Sequence, residues 1–446
     1  MALRARLLSI LFWSVIAAAF IGPGTMTTAA SAGANHGAGL LWALVFSTVA
    51  CLILQEASCR ITVVSGSNLG QALVRQYSGR GAAHVIPLFA MVAILLGCAA
   101  FEAGNILGAV AGLELISGVP RRPLTLLVGT AAMLILSMGS TRLVASLLGG
   151  IVAVLGVSFL TAAIALRPEP TALLAGSLVP SMPEGAGLLV LALIGTTVVP
   201  YNLFLGSGLS HSQTLGEMRF GLGVAIIIGG IISMAILVVG SATAGAFSYQ
   251  ALAEALAVRL GAGAPLLLGI GLFAAGVSSA VTAPLAAAIT ARSVLGGTSG
   301  AGPWSIGSWR YRLAWASVLG VGLAFGLAEV QPIPAIILAQ AANGVVLPLV
   351  AVFLFIAVND RQLMGPTGLN RTVNNSLMAI VVFVTIVLGV TSVMRAVAGG
   401  AGIPLPAERT LLTIAAGIAL ALAVPVAQAI RRGRRPPATG APQMPS

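Results

Sequence analysis

Apolar runs of membrane-spanning length follow one another along almost the whole chain. A helix needs about 20 predominantly apolar residues to cross a bilayer. Runs of this kind cover residues 8–34, 38–60, 84–113, 122–140, 143–166, 186–210, 219–247, 263–293, 313–328, 333–357, 376–399 and 408–430. Only 7% of the 446 residues are charged, against about 25% in soluble proteins. The apolar residues are continuous and do not alternate, which argues against a β-barrel. We therefore predict an all-α integral membrane protein with 11 or 12 transmembrane helices.

The net charge of +12 comes from arginines that lie mostly between the apolar runs. If the chain begins in the cytoplasm, 16 of the 22 arginines fall in inside segments and 6 in outside segments. This bias is the one that orients membrane proteins. We therefore expect a multi-pass protein of the plasma membrane with both termini cytoplasmic, whose partner is the lipid bilayer and which does not bind nucleic acid. Residues 1–430 are predicted to form one transmembrane domain, and residues 431–446 a basic, proline-rich cytoplasmic tail.

Two predicted spans carry helix breakers near their middles. Span one contains Gly22-Pro23-Gly24-Thr25, and span six contains Gly195-Thr196-Thr197 and then Pro200-Tyr201-Asn202. Proline removes a backbone donor, and broken backbone at membrane depth is tolerated where it lines a cavity or a site. The breaks lie five spans apart, as two five-span repeats would place them, and an odd number of spans inverts the second repeat. Repeat one would cover about 8–166, repeat two about 186–357, and extra helices about 376–430. The alternative is a pair of ordinary proline kinks.

Several collinear motifs resemble the Nramp family of proton-coupled divalent-metal transporters. Span one has Gly22-Pro23-Gly24-Thr25 and later Ala32-Gly33-Ala34, where the family has Asp-Pro-Gly-Asn and Ala-Gly-Ala. Residues 195–207 read GTTVVPYNLFLGS, similar to the family's Gly-Ala-Thr-Val-Met-Pro-His-Asn-Leu-Tyr-Leu-His-Ser. Residues 54–73, 274–283 and 338–365 resemble further family segments. The resemblance implies a LeuT-type 5+5 inverted repeat with broken spans one and six, and secondary transport by alternating access.

The resemblance places the family's metal ligands at positions where this chain lacks the usual groups. The Asp and Asn of span one correspond to Gly22 and Thr25, and the Ala carbonyl and Met sulfur of span six correspond to Thr196 and Val199. The family's glutamine of span ten is kept as Gln340. Because none of the four aligned positions keeps the family's residue, we assign no metal ligand. The predicted substrate site comprises Gly22, Pro23, Gly24, Thr25, Thr196, Val199, Pro200, Tyr201, Asn202 and Gln340.

Hydroxyl, amide and carbonyl oxygens make up this predicted site. A dehydrated divalent cation without a carboxylate ligand loses its largest electrostatic compensation. The cargo implied by the resemblance is a divalent cation of the Mn²⁺, Fe²⁺ or Mg²⁺ class, moved together with protons. The residues leave open a hydrated or monovalent ion, a small polar organic solute, or an anion at the half-helix amino termini. A non-transporting membrane scaffold or sensor is a further alternative. We expect neither an enzyme nor a resident cofactor.

Glu102 is the acidic residue that lies deepest in a predicted span. A charged group at that depth costs roughly 2.5–3.5 kcal/mol on insertion scales, and the resemblance places the family's proton route at this position. We therefore predict that Glu102 carries a proton. The alternative is a glutamic acid that stays protonated and only bonds a neighbouring helix.

Other reactive side chains have simpler predicted roles. The three cysteines are expected to be small core residues, and the three histidines lie near span ends without metal-ligand spacing. They are Cys51, Cys59 and Cys98, and His36, His84 and His211. Glu56 and Arg60 are one helical turn apart and are predicted to form an ion pair.

Overall fold

Helices are the regular elements of the computed structural model, which describes residues 21–77, 85–138, 142–243, 246–296, 302–401 and 406–435 and has no strand in these ranges. The α-helices are α1 (Pro23–His36), α2 (Leu41–Ser65), α3 (Leu69–Tyr77), α4 (Val85–Ser117), α5 (Arg121–Ser137), α6 (Arg142–Ala165), α7 (Pro170–Leu178), α8 (Gly187–Thr197), α9 (Pro200–Leu209), α10 (Leu215–Gly240), α11 (Tyr249–Leu260), α12 (Ala264–Leu295), α13 (Trp309–Leu327), α14 (Pro332–Ala357), α15 (Arg361–Gly368), α16 (Thr372–Ala401) and α17 (Glu408–Gly433). Short 3₁₀ helices cover Gly37–Leu40 and Ser210–Ser212. The all-α prediction is confirmed.

The predicted spans each overlap one or more of these helices. Within the described ranges, eight helical stretches are long and apolar enough to cross a membrane. One of them, Pro23–Ser65, contains both α1 and α2 and therefore two predicted spans. The predicted spans outside this set correspond to α5, α6 and α13. Residues 8–20 of span one and the end of the predicted tail, 436–446, lie outside the described residues.

The centre of the protein is built from close helix–helix contacts at small residues. A Cβ atom on Gly276 of α12 would stand 2.5 Å from the Cβ of Ala109 on α4. A Cβ on Gly112 of α4 would stand 2.6 Å from the carbonyl oxygen of Gly269 on α12. In lipid, such small residues let two helix backbones approach closely. Helix α4 also packs against α13 and α14, and α14 packs against α8.

The helix of span six is interrupted where the sequence predicts it. Helix α8 ends at Thr197, and α9 begins at Pro200 after two non-helical residues, of which Val199 is extended (φ −82°, ψ 118°). Helix α1 likewise begins at Pro23 after the extended Gly22 (φ −113°, ψ −174°). Proline suits the first helical position because its missing N–H would have no intrahelical partner there. The span formed by α8 and α9 is the most enclosed of the eight, and α17 is the least, with 94% and 17% of their apolar segments buried.

Simpler predictions about single side chains can also be checked. Glu56 and Arg60 form an ion pair with a separation of 3.1 Å between Oε1 and Nε, as predicted. The three cysteines are buried and free, as expected of core residues. His211 is exposed in the 3₁₀ turn after α9, and His36 ends α1 partly exposed. His84 lies outside the described residues.

Candidate substrate site between the broken helices

The two interrupted spans meet through a pair of hydroxyl groups. Thr25 lies in the first turn of α1, Thr196 lies in the last turn of α8, and their Oγ1 atoms are 2.9 Å apart. Both side chains are fully buried. The structure therefore brings together two positions, one in each predicted repeat, that the sequence motifs align with metal-ligand positions.

Two polar side chains from other helices lie against the break in span one. A Cβ on Gly24 would stand 2.2 Å from Nε2 of Gln340, which is on α14. A Cβ on Gly22 would stand 3.0 Å from Oγ of Ser279, which is on α12. The two glycines thus leave room for an amide and a hydroxyl. Gln340 was predicted from its motif. Ser279 was not singled out, although it lies in the serine-containing segment 274–283 that resembles the family.

The residues at the start of α9, and Val199 just before it, are equally buried. Val199 and Tyr201 are each 1% exposed, and Asn202 is 3% exposed. The backbone carbonyl of Asn202 accepts a hydrogen bond of 3.2 Å from Nε2 of Gln55 on α2. That bond fixes the first turn of α9 against α2, while the side-chain amide of Asn202 has no hydrogen-bond partner among the described residues.

Buried polar atoms without a hydrogen-bond partner are concentrated around this meeting point. An unpartnered buried polar group costs about 1–3 kcal/mol, so such groups in a folded protein call for an explanation such as a bound water, ion or ligand. Apart from Gln76, all those found in the described residues belong to α1, α4, α9, α12 and α14. They are on Thr28, Ser31, Glu102, Tyr201, Asn202, Ser279, Gln340 and Asn343. The unpartnered hydroxyl and amide groups of Tyr201, Asn202, Ser279 and Gln340 lie on the segments that meet at the breaks and are suited to a polar ligand.

Neutral oxygen donors dominate the electrostatics of the site. In the described part of the chain, no group of three or more His, Cys, Asp or Glu residues could hold a metal ion. Helices α1 and α9 both begin at the breaks, and a helix amino terminus carries a partial positive charge. Helix α8 ends there, so the carbonyls of its last turn lack intrahelical donors. The site can therefore offer oxygen atoms to a cation and N–H groups to an anion.

Glu102 lies beside the site and does not line the break directly. Its neighbour Phe101 packs edge-on against Tyr201, with ring centroids 5.3 Å apart. Glu102 itself faces α13, because a Cβ on Gly322 would stand 2.8 Å from its Cγ. Its Oε2 accepts a hydrogen bond of 3.3 Å from Nδ2 of Asn105. The carboxyl group is fully buried, and one of its oxygens, Oε1, has no partner among the described residues.

A tyrosine from α11 forms a hydrogen bond near the start of α1, next to the break in span one. The Oη atom of Tyr249 is 2.6 Å from Oγ1 of Thr27. Thr27 donates its own proton to the carbonyl of Pro23 over 2.7 Å, so the phenol is the donor to Thr27. Helix α11 lies between two predicted spans, and burial raises the pKa of Tyr249 to about 12. The phenol therefore keeps its proton at neutral pH. No motif in the sequence pointed to this contact.

Comparisons with known proteins agree on one family. The model of the Natural resistance-associated macrophage protein-like (Nramp) family matches residues 14–395. A divalent metal cation transporter MntH of Verminephrobacter eiseniae is 27% identical over 374 residues, which is 79% of this chain and 81% of that protein. The corresponding MntH of Aeromonas hydrophila is 26% identical over 373 residues, which is 79% and 87% of the two chains.

Solved structures show the same fold. The manganese transporter of Eremococcus coleocola, in complex with an aromatic bis-isothiourea compound, has a TM-score of 0.70 at 19% identity and covers 96% of this chain and 95% of its own. Mhp1, a nucleobase-cation-symport-1 family transporter, has a TM-score of 0.57 at 14% identity and covers 95% and 92%. The predicted LeuT-type fold is thereby confirmed. Because the family model matches residues 14–395, this multi-pass membrane protein belongs to the Nramp family.

Proposed function

We propose that this protein is a secondary-active transporter, not an enzyme, that moves a divalent metal cation by alternating access around the breaks of α1 and α8–α9. Its relatives include proteins named divalent metal cation transporters, and its fold is that of a manganese transporter. The observation that carries the proposal is the cluster of buried, unpartnered polar atoms where the two broken spans meet. Transporters built from inverted repeats bind their substrates at such interrupted helices, which supports placing the site at this cluster.

The chemistry of these residues determines how the cation is held. The hydroxyls of Thr25 and Thr196, the amides of Asn202 and Gln340, and carbonyls at the end of α8 supply hard oxygen ligands. Such ligands suit Mg²⁺, Ca²⁺ or Mn²⁺. Because no carboxylate lies among them, the ion keeps part of its hydration shell and binds weakly. Glu102, beside the site, carries the coupled proton.

Orientation follows from the arginine distribution. The inside segments hold 16 arginines and the outside segments 6, which supports cytoplasmic termini in the plasma membrane. In this orientation α11 and Tyr249 lie on the outer side, so the Tyr249–Thr27 hydrogen bond covers the break in span one from that side.

A second candidate is a transporter of a small polar solute other than a metal. It is favoured by the two helix amino termini at Pro23 and Pro200, which attract an anionic group such as a carboxylate. The loss of the acidic residue at position 22 removes the charge that would repel such a group.

Uptake into proteoliposomes tests the proposal. A metal-sensitive dye inside the vesicles reports Mn²⁺, Mg²⁺ or Ca²⁺ entry, and a proton-sensitive dye is followed in parallel, with empty liposomes as the control. Saturable entry of one of these ions is expected. If folded, inserted protein gives no entry of any of them, the metal proposal is wrong, and a thermal-shift screen of small polar molecules then tests the second candidate. If neither metal nor solute alters the accessibility of cysteines introduced at positions 22 and 199, the protein is a scaffold or sensor.

A further inference from the structure

A second cavity lies away from the broken helices, at the predicted cytoplasmic ends of three spans. It is lined by α2, α10, the end of α15, the connection 369–371 and the start of α16, and its volume is about 630 Å³. It contains none of the residues assigned to the substrate site. Its arginines lie towards the predicted membrane surface, where apolar residues also line it, and its lining deeper in the membrane is apolar.

Three arginines and one glutamate form the basic end of this cavity. Glu56 is shared, because its Oε1 lies 3.1 Å from Nε of Arg60 and 2.8 Å from a terminal nitrogen of Arg219. Arg60 is 4% exposed and also donates to the carbonyl of Gly368 and to the side chain of Asn370. Arg371 is exposed and forms no ion pair within the described ranges. Three guanidinium groups against one carboxylate leave an excess of two positive charges.

Deeper in the predicted membrane, the lining becomes apolar. Leu52 and Ile53 precede Arg60 on α2 by about two turns, or about 12 Å from Leu52 at 1.5 Å per residue. Arg371 directly precedes α16, and Leu377 lies on that helix about 9 Å further in the same direction. Leu377 is 42% exposed, and Leu52 and Ile53 are partly exposed, so an acyl chain can reach this apolar lining. The cavity is therefore basic at the membrane surface and apolar towards the membrane centre.

We propose that this cavity binds an anionic glycerophospholipid, with its phosphate between Arg219 and Arg371 and an acyl chain along Leu52, Ile53 and Leu377. Guanidinium groups bind phosphate oxygens in bidentate geometry, and basic pockets between helices on the cytoplasmic side bind acidic lipid head groups. The hydrogen bonds of Arg60 hold the basic end in shape before the lipid arrives. This inference is independent of the cargo.

Lipid bound there would connect parts of the protein that are far apart in sequence. Helix α2 belongs to the first predicted repeat, α10 to the second, and α16 to the extra helices. A ligand that binds the folded state and not the unfolded state stabilises the folded state by RT ln(1 + L/Kd), where L is the concentration of free ligand. An acidic lipid should therefore raise the temperature of unfolding.

The test uses the full chain in detergent, with the unfolding midpoint measured against added phosphatidylglycerol, phosphatidylcholine or inorganic phosphate. Only phosphatidylglycerol is expected to raise the midpoint in a saturable manner. Arg371→Gln should weaken its apparent affinity about tenfold, because a charge-assisted hydrogen bond is lost, and R219Q/R371Q should abolish the shift. The matched control is Arg361→Gln, an exposed arginine on α15 at the same predicted surface, which should bind like the parent protein.

Three results would overturn the proposal. An unchanged phosphatidylglycerol shift in R371Q and in the double variant would place the lipid elsewhere. An equal shift with phosphatidylcholine would mean that the head-group charge is not recognised. An equal shift with inorganic phosphate would assign the site to a soluble anion. Arg371 forms no ion pair with any residue that the structure describes, so R371Q should fold and remains informative if the double variant does not.

Discussion

The hydroxyl oxygens of Thr25 and Thr196 are 2.9 Å apart, and they join the helix that follows the break in span one to the helix that precedes the break in span six. Both positions align with metal-ligand positions of the family. In this chain they bond to each other, so a cation that enters the site must replace that bond with its own contacts. Because the Thr25–Thr196 hydrogen bond is lost when the cation binds, we expect the cation to bind weakly.

Removing one member of the pair should impair both stability and transport. Thr25→Val keeps the shape of the side chain but leaves the Thr196 hydroxyl without this partner, at a cost of about 1 kcal/mol. We expect a lower unfolding midpoint and reduced cation uptake. Thr25→Ser keeps the hydroxyl and should behave like the parent protein. Normal uptake by the folded valine variant would show that this hydroxyl does not bind the cargo.

Gly24 and Gln340 should be energetically coupled. A Cβ on Gly24 would stand 2.2 Å from Nε2 of Gln340, so Gly24→Ala must displace the amide and is expected to lower stability and uptake. Gln340→Ala makes room for the new methyl group. The double variant should therefore be less destabilised than the sum of the single variants, with a coupling of about 0.5–3 kcal/mol. Thermal or denaturant unfolding of all four proteins measures this cycle, and strict additivity would contradict the contact.

Restoring the family's ligands should strengthen Mn²⁺ binding. Gly22→Asp, Thr25→Asn and Val199→Met together add a carboxylate, an amide and a thioether. A side chain at position 22 requires Ser279 to yield, because its Oγ lies 3.0 Å from the new Cβ. Titration calorimetry should show tighter Mn²⁺ binding in this triple variant than in the matched variant with Gly22→Asn, which has the same size but no charge. Equal affinities would argue against the site assignment.

Glu102 should determine the pH dependence of transport. Glu102→Gln keeps the hydrogen-bonding shape but cannot release a proton, so cation uptake should become uncoupled from proton movement or stop. Uptake is measured across a range of pH with the two dyes. Glu254→Gln, at an exposed position on α11, is the control and should keep the parent profile. A parent-like pH profile in the Glu102 variant would remove this residue from the proton route.

Tyr249 should restrict access to the break in span one from the outer side. Tyr249→Phe removes the donor to Thr27, so a cysteine introduced at position 28 should react faster with a reagent added from outside. The pKa of Tyr249 is raised from 10.0 to about 12, and a raised pKa favours the protonated, donating form. Its contribution is therefore complete below about pH 10 and is lost as the pH rises towards 12. An unchanged labelling rate at neutral pH would show that the Tyr249–Thr27 hydrogen bond does not restrict access to the break in span one.

The helices of this protein were predictable because their causes are local. Continuous apolar runs require helices in lipid, and proline with glycine interrupts them, so both the spans and the break before Pro200 could be located from the sequence. The site was partly predictable, because the motifs around Gly22–Thr25 and Thr196–Asn202 aligned with a known family. Gln340 was found in the same way.

Local sequence patterns are enough to locate the apolar spans, their arginine bias, the helix breakers and the absence of acidic and sulfur side chains at the positions that align with the family's metal ligands. The folded protein is needed to show that Ser279 and Gln340 face the glycines of span one, that Glu102 turns towards α13, that Tyr249 bonds Thr27, and that arginines from separate helices line one cavity. Residues 27 and 249 are 222 positions apart, and no local pattern relates them. Such contacts depend on how uniformly apolar helices are rotated and packed against one another, and that choice is made by side-chain fit across the whole bundle.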